Sequence, residues 1–222
     1  MFIGHFAVAF AAKKVSPRSS LGTLVMAAEW IDLIFPILIL AGLEHAGIKP
    51  GDNAFLRLDL TNYPISHSLV AVLLWSVLLG RFVLRRSGNR RAALVVGAAV
   101  FSHWLLDFIS HTPDVPLWPG GPLVGIGLWN SVAATVAVET LMFAGALWLY
   151  FGSTRARDRV GRWGAVGLAA FLALLYIGNL TSPPPPDVKA FAVVGLAAWL
   201  LPLWAWWADR HREPATAPPP PS

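Results

Sequence analysis

The sequence has no cysteine. That excludes a disulfide framework and every thiolate metal site, so a metal must be held by His, Asp or Glu, helped at most by carbonyls. Charge is scarce as well. Only 13% of the 222 residues are charged, where a soluble domain carries roughly 25%. With 56% hydrophobic residues and eleven Trp, the deficit argues against a soluble fold. It points to an all-α polytopic membrane bundle with interfacial tryptophans. No internal repeat relates residues 1–111 to 112–222, which argues against an inverted-repeat carrier.

Six apolar segments are long enough, or nearly so, to cross a bilayer: 21–42, 64–84, 92–111, 123–150, 163–180 and 189–208. The fourth is longer than needed, and GGPLVGIG at its start reads as a short surface piece. FIGHFAVAFAA at 2–12 is too short to span. It reads either as a half-helix dipping into the bilayer above Lys13 and Lys14, or as a helix lying on its surface. Its basic pair follows the apolar stretch, the wrong order for a signal peptide. Residues 1–212 form one integral membrane domain, and 213–222 a disordered Pro-rich tail.

Basic residues sort these segments. Lys13, Lys14 and Arg18 precede the first; Arg81, Arg85, Arg86, Arg90 and Arg91 separate the second from the third. Arg155, Arg157, Arg159 and Arg162 separate the fourth from the fifth, and Arg210 and Arg212 follow the sixth. Fourteen of seventeen basic residues thus fall on one side, leaving Lys49, Arg57 and Lys189 on the other. The positive-inside rule then places both termini in the cytoplasm. The arginines are topological signals that touch anionic lipid; no nucleic-acid partner is expected, and nothing assigns an oligomeric state.

Ionisable groups inside apolar segments need a reason to be there. Glu29, Asp32, Asp107, Glu139, His67 and His103 are such groups. In FSHWLLDFISHTPD, His103, Asp107 and His111 recur at offsets of four, one stripe of a helix. The topology brings Asp32, His67, His103 and Asp107 together in the outer half of the bilayer, with Glu29 one turn below Asp32 and Asn130 at comparable depth. Glu139 lies deeper, as support or an internal hydrogen bond. His and carboxylate pairs from different helices are how bundles build metal sites, here for a divalent ion such as Zn, Mn or Mg. His103 and His111 are about 12 Å apart on an ideal helix, too far for one ion. Asp107 between them suits a bridge of two, with His111 and Asp114 at the mouth. His5 joins if residues 2–12 dip inward. Other readings stay open: a hydrogen-bonded polar core without metal, a small transporter or ion pathway, haem held by His67 and His103, and a serine nucleophile beside His67.

These residues resemble a family. MFIGHFAVAF, EWIDLIFPILILAGLEH, NYPISHSLVAVLLW, SHWLLDFISHTPD and GIGLWNS are similar to stretches of the bacterial inner-membrane proteins called membrane-bound metal-dependent hydrolases, the group with the LexA-regulated hydrolases. The resemblance runs from residue 1 to about 212. It implies a multi-pass inner-membrane protein whose metal and catalytic groups are His5, Asp32, His67, Ser68, His103 and Asp107. The broader family often has Asp-x-Asp-His in the first span; this chain reads Asp32, Leu33, Ile34, Phe35 there.

The expected function is metal-dependent hydrolysis near the outer membrane face, on a lipid or lipid-linked phosphoester. Asp32, His67, His103, Asp107, His5 and His111 are the candidate ligands. His67, Asp107 and Ser68 are the candidate catalytic groups. Glu29, Asn130, Asp114 and Glu139 support them or meet substrate, and Lys49 or Arg57 clamps a phosphate.

Overall fold

The structure is a computed structural model and describes residues 1–49, 51 and 53–215. It is mostly helical. Helix α1 (Ile3–Val15) is followed by α2 (Leu21–Ala28) and α3 (Trp30–Leu40), which meet at a 56° bend. Ser20 caps α2 by accepting from the Thr23 N–H, and Pro36 inside α3 has no N–H for the Asp32 carbonyl. A hairpin, β1 (His45–Ile48) with β2 (Leu58–Asn62), leads to the short α4 (Pro64–His67) and then α5 (Leu69–Ser87). Ser68 is extended and breaks the two apart.

Helix α6 (Arg90–Ser110) leads to a small ribbon, β3 (Val115–Pro116) with β4 (Leu123–Val124), and a 3-10 turn at Leu128–Asn130. Helix α7 (Val132–Ser153) then starts, so residues 123–131 of the expected fourth segment are ribbon and turn instead. Gly127, at φ +82°, sits where a helix cannot continue. Strand β5 (Thr154–Ala156), α8 (Arg159–Thr181), α9 (Val188–Leu196), a 3-10 turn (Ala197–Trp199), α10 (Leu200–Arg210) and β6 (Arg212–Pro214) complete the chain. Strands β5 and β6 pair, so Glu213 and Pro214 belong to a strand; tail residues 216–222 lie outside the described residues.

Among the described residues, four helical stretches are long and apolar enough to cross a membrane: α6, α7, α8 and the α9–α10 run Val188–Arg210. The bent α2–α3 pair makes five if taken as one span. Helix α5 has 19 residues but carries Arg81, Arg85 and Arg86 toward its end.

The main core lies among α1, α2, α6, α7, α8 and α10. Helix α1 is buried within it by Ile3, Phe6, Ala9 and Phe10, with Phe10 edge-on to Phe143 and Tyr150. It does not lie on the surface. Besides this packing, α1 has a polar tie at each end. The Glu139 carboxylate accepts from the Phe2 and Gly4 N–H groups, at 2.9 and 3.0 Å, and so caps its start. At the other end, Lys13 pairs with Asp209 of α10 at 2.6 Å, and Asp209 also accepts from Leu21 N.

Candidate metal centre

Two overlapping groups of ligand atoms lie at the start of α1, the end of α6 and the α3–α4 corner. His5, His103 and Asp107 form one; Asp32, His67 and His103 form the other. Within each group the atoms are all within 4.8 Å of one another. Zinc–ligand distances are about 2.0–2.2 Å, so two donors on one ion lie up to about 4.4 Å apart. A shift of a few tenths of an ångström closes either group on an ion.

The orientation of the histidines carries more than their proximity. Nδ1 of His103 is 2.7 Å from the Ala28 carbonyl. A carbonyl only accepts, so Nδ1 carries the proton and the Nε2 of a neutral ring presents its lone pair. That Nε2 is buried without a hydrogen-bond partner among the described residues. It faces Asp107 Oδ2 at 3.3 Å and Asp32 Oδ1 at 3.5 Å.

His67 is fixed the same way. Its Nδ1 is 2.6 Å from Ser66 Oγ, whose own hydrogen goes to Glu44 Oε2 at 2.6 Å. Ser66 must therefore accept from Nδ1, and Nε2 points at Asp32 Oδ1, 3.3 Å away. Glu44 is itself held by the N–H groups of Ile65 and Ser66 at the start of α4.

His111 follows the pattern. Helix α6 ends at Ser110, and His111 turns extended. Its Nδ1 donates to Asp114 at 3.0 Å, and its Nε2 lies 3.6 Å from Asp107 Oδ1. The departure from helix lets His111 reach the oxygen of Asp107 that His103 does not. Trp129 packs on its ring at 4.0 Å, and Tyr63 donates to the Asp114 carbonyl. Ile126 and Gly127 donate to the carbonyls of Phe108 and His111. Gly125 passes so close that a Cβ there would meet Thr112 O at 2.2 Å.

Three imidazoles thus anchor Nδ1 to an acceptor and aim Nε2 at a carboxylate oxygen. Lone pairs facing carboxylates repel unless a cation lies between them. A divalent ion among the rings and the two carboxylates would relieve every contact at once, whereas otherwise protons would be needed on all three rings. The donor set is nitrogen and oxygen only, as Zn, Mn or Mg accept. The buried His and Asp cluster therefore has the geometry of a divalent-metal site.

Asp107 is the centre. Its Oδ1 also accepts from the Met1 nitrogen at 2.7 Å and contacts His5 Nε2 at 3.1 Å. His5 stacks parallel on His103 at 3.7 Å. Asp32 is the opening: its side chain is 44% exposed, against 7% or less for the side chains of His5, His67, His103, Asp107 and His111.

Other expected residues fall elsewhere. Ser68 donates to the Pro64 carbonyl and caps α5 through Ala71 N, and it is fully buried. Its hydroxyl is thus placed as a helix cap. Ser66 is equally buried and committed to Glu44, which removes the serine nucleophile. Asn130 is exposed in the 3-10 turn, its amide against Gly127. Glu29 is buried at the α2–α3 bend, with Oε1 unpartnered among the described residues. Lys49 lies beside Asp59, and Arg57 donates to the Ser182 carbonyl, so neither reaches the site. For haem, Asp32 Oδ1 sits within 3.5 Å of Nε2 on both His67 and His103, where the macrocycle would have to lie. Glu44 had no signal in the sequence beyond being an acid in a loop.

The chain matches no model of a known protein family, no curated protein and no solved structure.

Proposed function

We propose that the chain is a membrane-embedded metal-dependent hydrolase of the bacterial inner membrane, with six spans and both termini cytoplasmic. It acts near the outer face on a lipid or lipid-linked phosphoester. The observation that carries the reading is the set of three Nδ1-anchored histidines whose Nε2 atoms converge on Asp32 and Asp107. Asp32, His103 and Asp107 would hold the ion. A bound divalent ion supplies Lewis acidity toward a phosphoryl oxygen.

The chain's own groups supply the proton chemistry. His67 Nε2 takes the proton of the attacking water as the water oxygen bonds to phosphorus. Its Nδ1–H, held through Ser66 on Glu44, stabilises the imidazolium that results. The proton then passes to the departing alkoxide as the P–O bond breaks. Asp32 supports a substrate approaching from its exposed side. Trp30 of the same helix packs edge-on to Trp75 and Trp199, with ring centroids 5.5 and 6.2 Å apart, and such rings suit anchoring at headgroup level.

Metal analysis of protein purified in mild detergent without chelator is the test, joined to phosphate release from a lipid phosphomonoester. Bound metal is expected in the wild type, with most of it lost in Asp107→Asn and His103→Ala. In His67→Ala the metal stays and turnover falls roughly 10²–10⁴-fold. Unchanged stoichiometry in both ligand variants would sink the metal site.

An ion pathway is the second reading. The 56° bend at Glu29 and the break at Ser68 are interruptions of the kind that line ion routes. Flux through sealed proteoliposomes that Asp107→Asn abolishes would transfer the assignment to it.

A further inference from the structure

The basic end of the bundle carries a second site. Strands β5 and β6 pair across the α7–α8 junction, and the Arg157 N–H donates to the His211 carbonyl. Between this ribbon and the start of α8 lies a cleft of about 580 Å³, with Arg157, Arg159, Arg162, Arg212, Trp163 and Val166 in its walls. Arg212 is structural: it donates to Thr154 and Gly161 and lies over the Tyr150 and Phe151 rings.

Arg157, Arg159 and Arg162 are different. Their side chains are exposed and make no hydrogen bond or ion pair among the described residues. Arg155, also in the wall, is paired with Glu213. Asp158, the acid in the wall, is committed: it accepts from Gly161 N and from His211, and the Gly161 N–H, then the His211 ring, hold its carboxyl below the usual range. Three unpartnered guanidiniums therefore face one cleft.

The cleft continues onto an apolar track. Trp163, Val166, Ala170, Leu174 and Ile177 recur at helical spacing on α8 and are all exposed. From Val166 to Ile177 the track rises about 16 Å, close to the roughly 15 Å half-thickness of a bilayer core. A soluble phosphate would use the guanidiniums and leave the track bare. A molecule with an anionic head and an acyl chain of one leaflet uses both.

We propose that this cleft binds an anionic phospholipid, its phosphate on Arg157, Arg159 and Arg162 and an acyl chain along α8. The site is independent of the metal centre, which lies at the opposite end of α1.

Native mass spectrometry of the full chain in mild detergent tests this, with added phosphatidylglycerol, phosphatidylcholine or inorganic phosphate. The wild type should retain phosphatidylglycerol in preference to phosphatidylcholine. Arg159→Gln with Arg162→Gln should weaken that binding roughly 30-fold, from about fivefold per arginine. Arg85→Gln with Arg86→Gln removes the same charge from the α5–α6 turn and should leave binding within about threefold. No preference for the anionic lipid in the wild type would overturn the proposal, whatever the variants do. So would an equal loss in the Arg85 and Arg86 variant, or displacement of the lipid by millimolar phosphate.

Discussion

At the residue scale, Ser66 and Ser68 stand two positions apart and do different things. Ser66 orients His67; Ser68 closes the first turn of α5. Ser68→Ala should lower stability by about 1 kcal/mol, the usual cost of a lost helix cap, and leave turnover alone. Ser66→Ala frees the His67 ring and should lower turnover about 10–100-fold with the metal retained, as removal of an outer partner does. Denaturant unfolding and turnover separate the two, and a turnover defect of equal size in both variants would count against the assignment. The sequence makes the stripe His103, Asp107, His111 visible because offsets of four need only a helix. It hides Glu44, because that contact spans 22 positions and forms only once the β1–β2 hairpin turns the chain back. Asn130 misleads for a related reason: the chain around it is a turn, so depth counted along a helix does not apply.

At the element scale, the site is built where helices stop. Asp32 follows the α2–α3 bend, His67 ends α4, His111 lies just past α6, and His5 is in the first turn of α1. Apolar runs read as continuous across Glu29 and Ser68, since hydropathy counts side chains and not backbone bonds; the apolar helices of the third to sixth segments were legible, and the breaks in the first two were not. Helix α1 shows the same limit. An eleven-residue apolar piece fits the surface as well as the interior, and only the caps decide. Glu139 provides that cap, which makes it a positioning residue for His5. Glu139→Ala leaves the Phe2 and Gly4 N–H groups without their acceptor, and an unsatisfied buried donor costs about 1–3 kcal/mol. The expected outcome is that much lost stability, with faster amide exchange confined at first to the start of α1. Exchange unchanged there, with wild-type stability, would show that packing alone holds the helix.

At the scale of the whole molecule, the distribution of charge and the fold agree on two unlike ends. The α1–α2 turn, the α7–α8 junction and the end of α10 meet through Lys13, Asp209 and the β5–β6 ribbon, and all three carry clustered basic residues. The metal centre sits at the other end, His5 being about 12 Å above Lys13 along α1. If the basic end is cytoplasmic, the centre opens outward, and a lipid phosphoester reaches it from the outer leaflet. A chain without cysteine allows a direct test, because each introduced thiol is the only one present. Ala54→Cys, Trp118→Cys and Pro184→Cys lie in the turns at the centre's end; Ser87→Cys and Arg157→Cys lie in those at the basic end. In intact cells, an impermeant maleimide should label the first three and spare the last two until the membrane is opened. Protection of positions 54 and 118 with labelling at 87 and 157 would invert the orientation and put the substrate in the cytoplasmic leaflet. Labelling of 54 and 87 alike would break the six-span count at α5, the helix whose arginines already set it apart from the others.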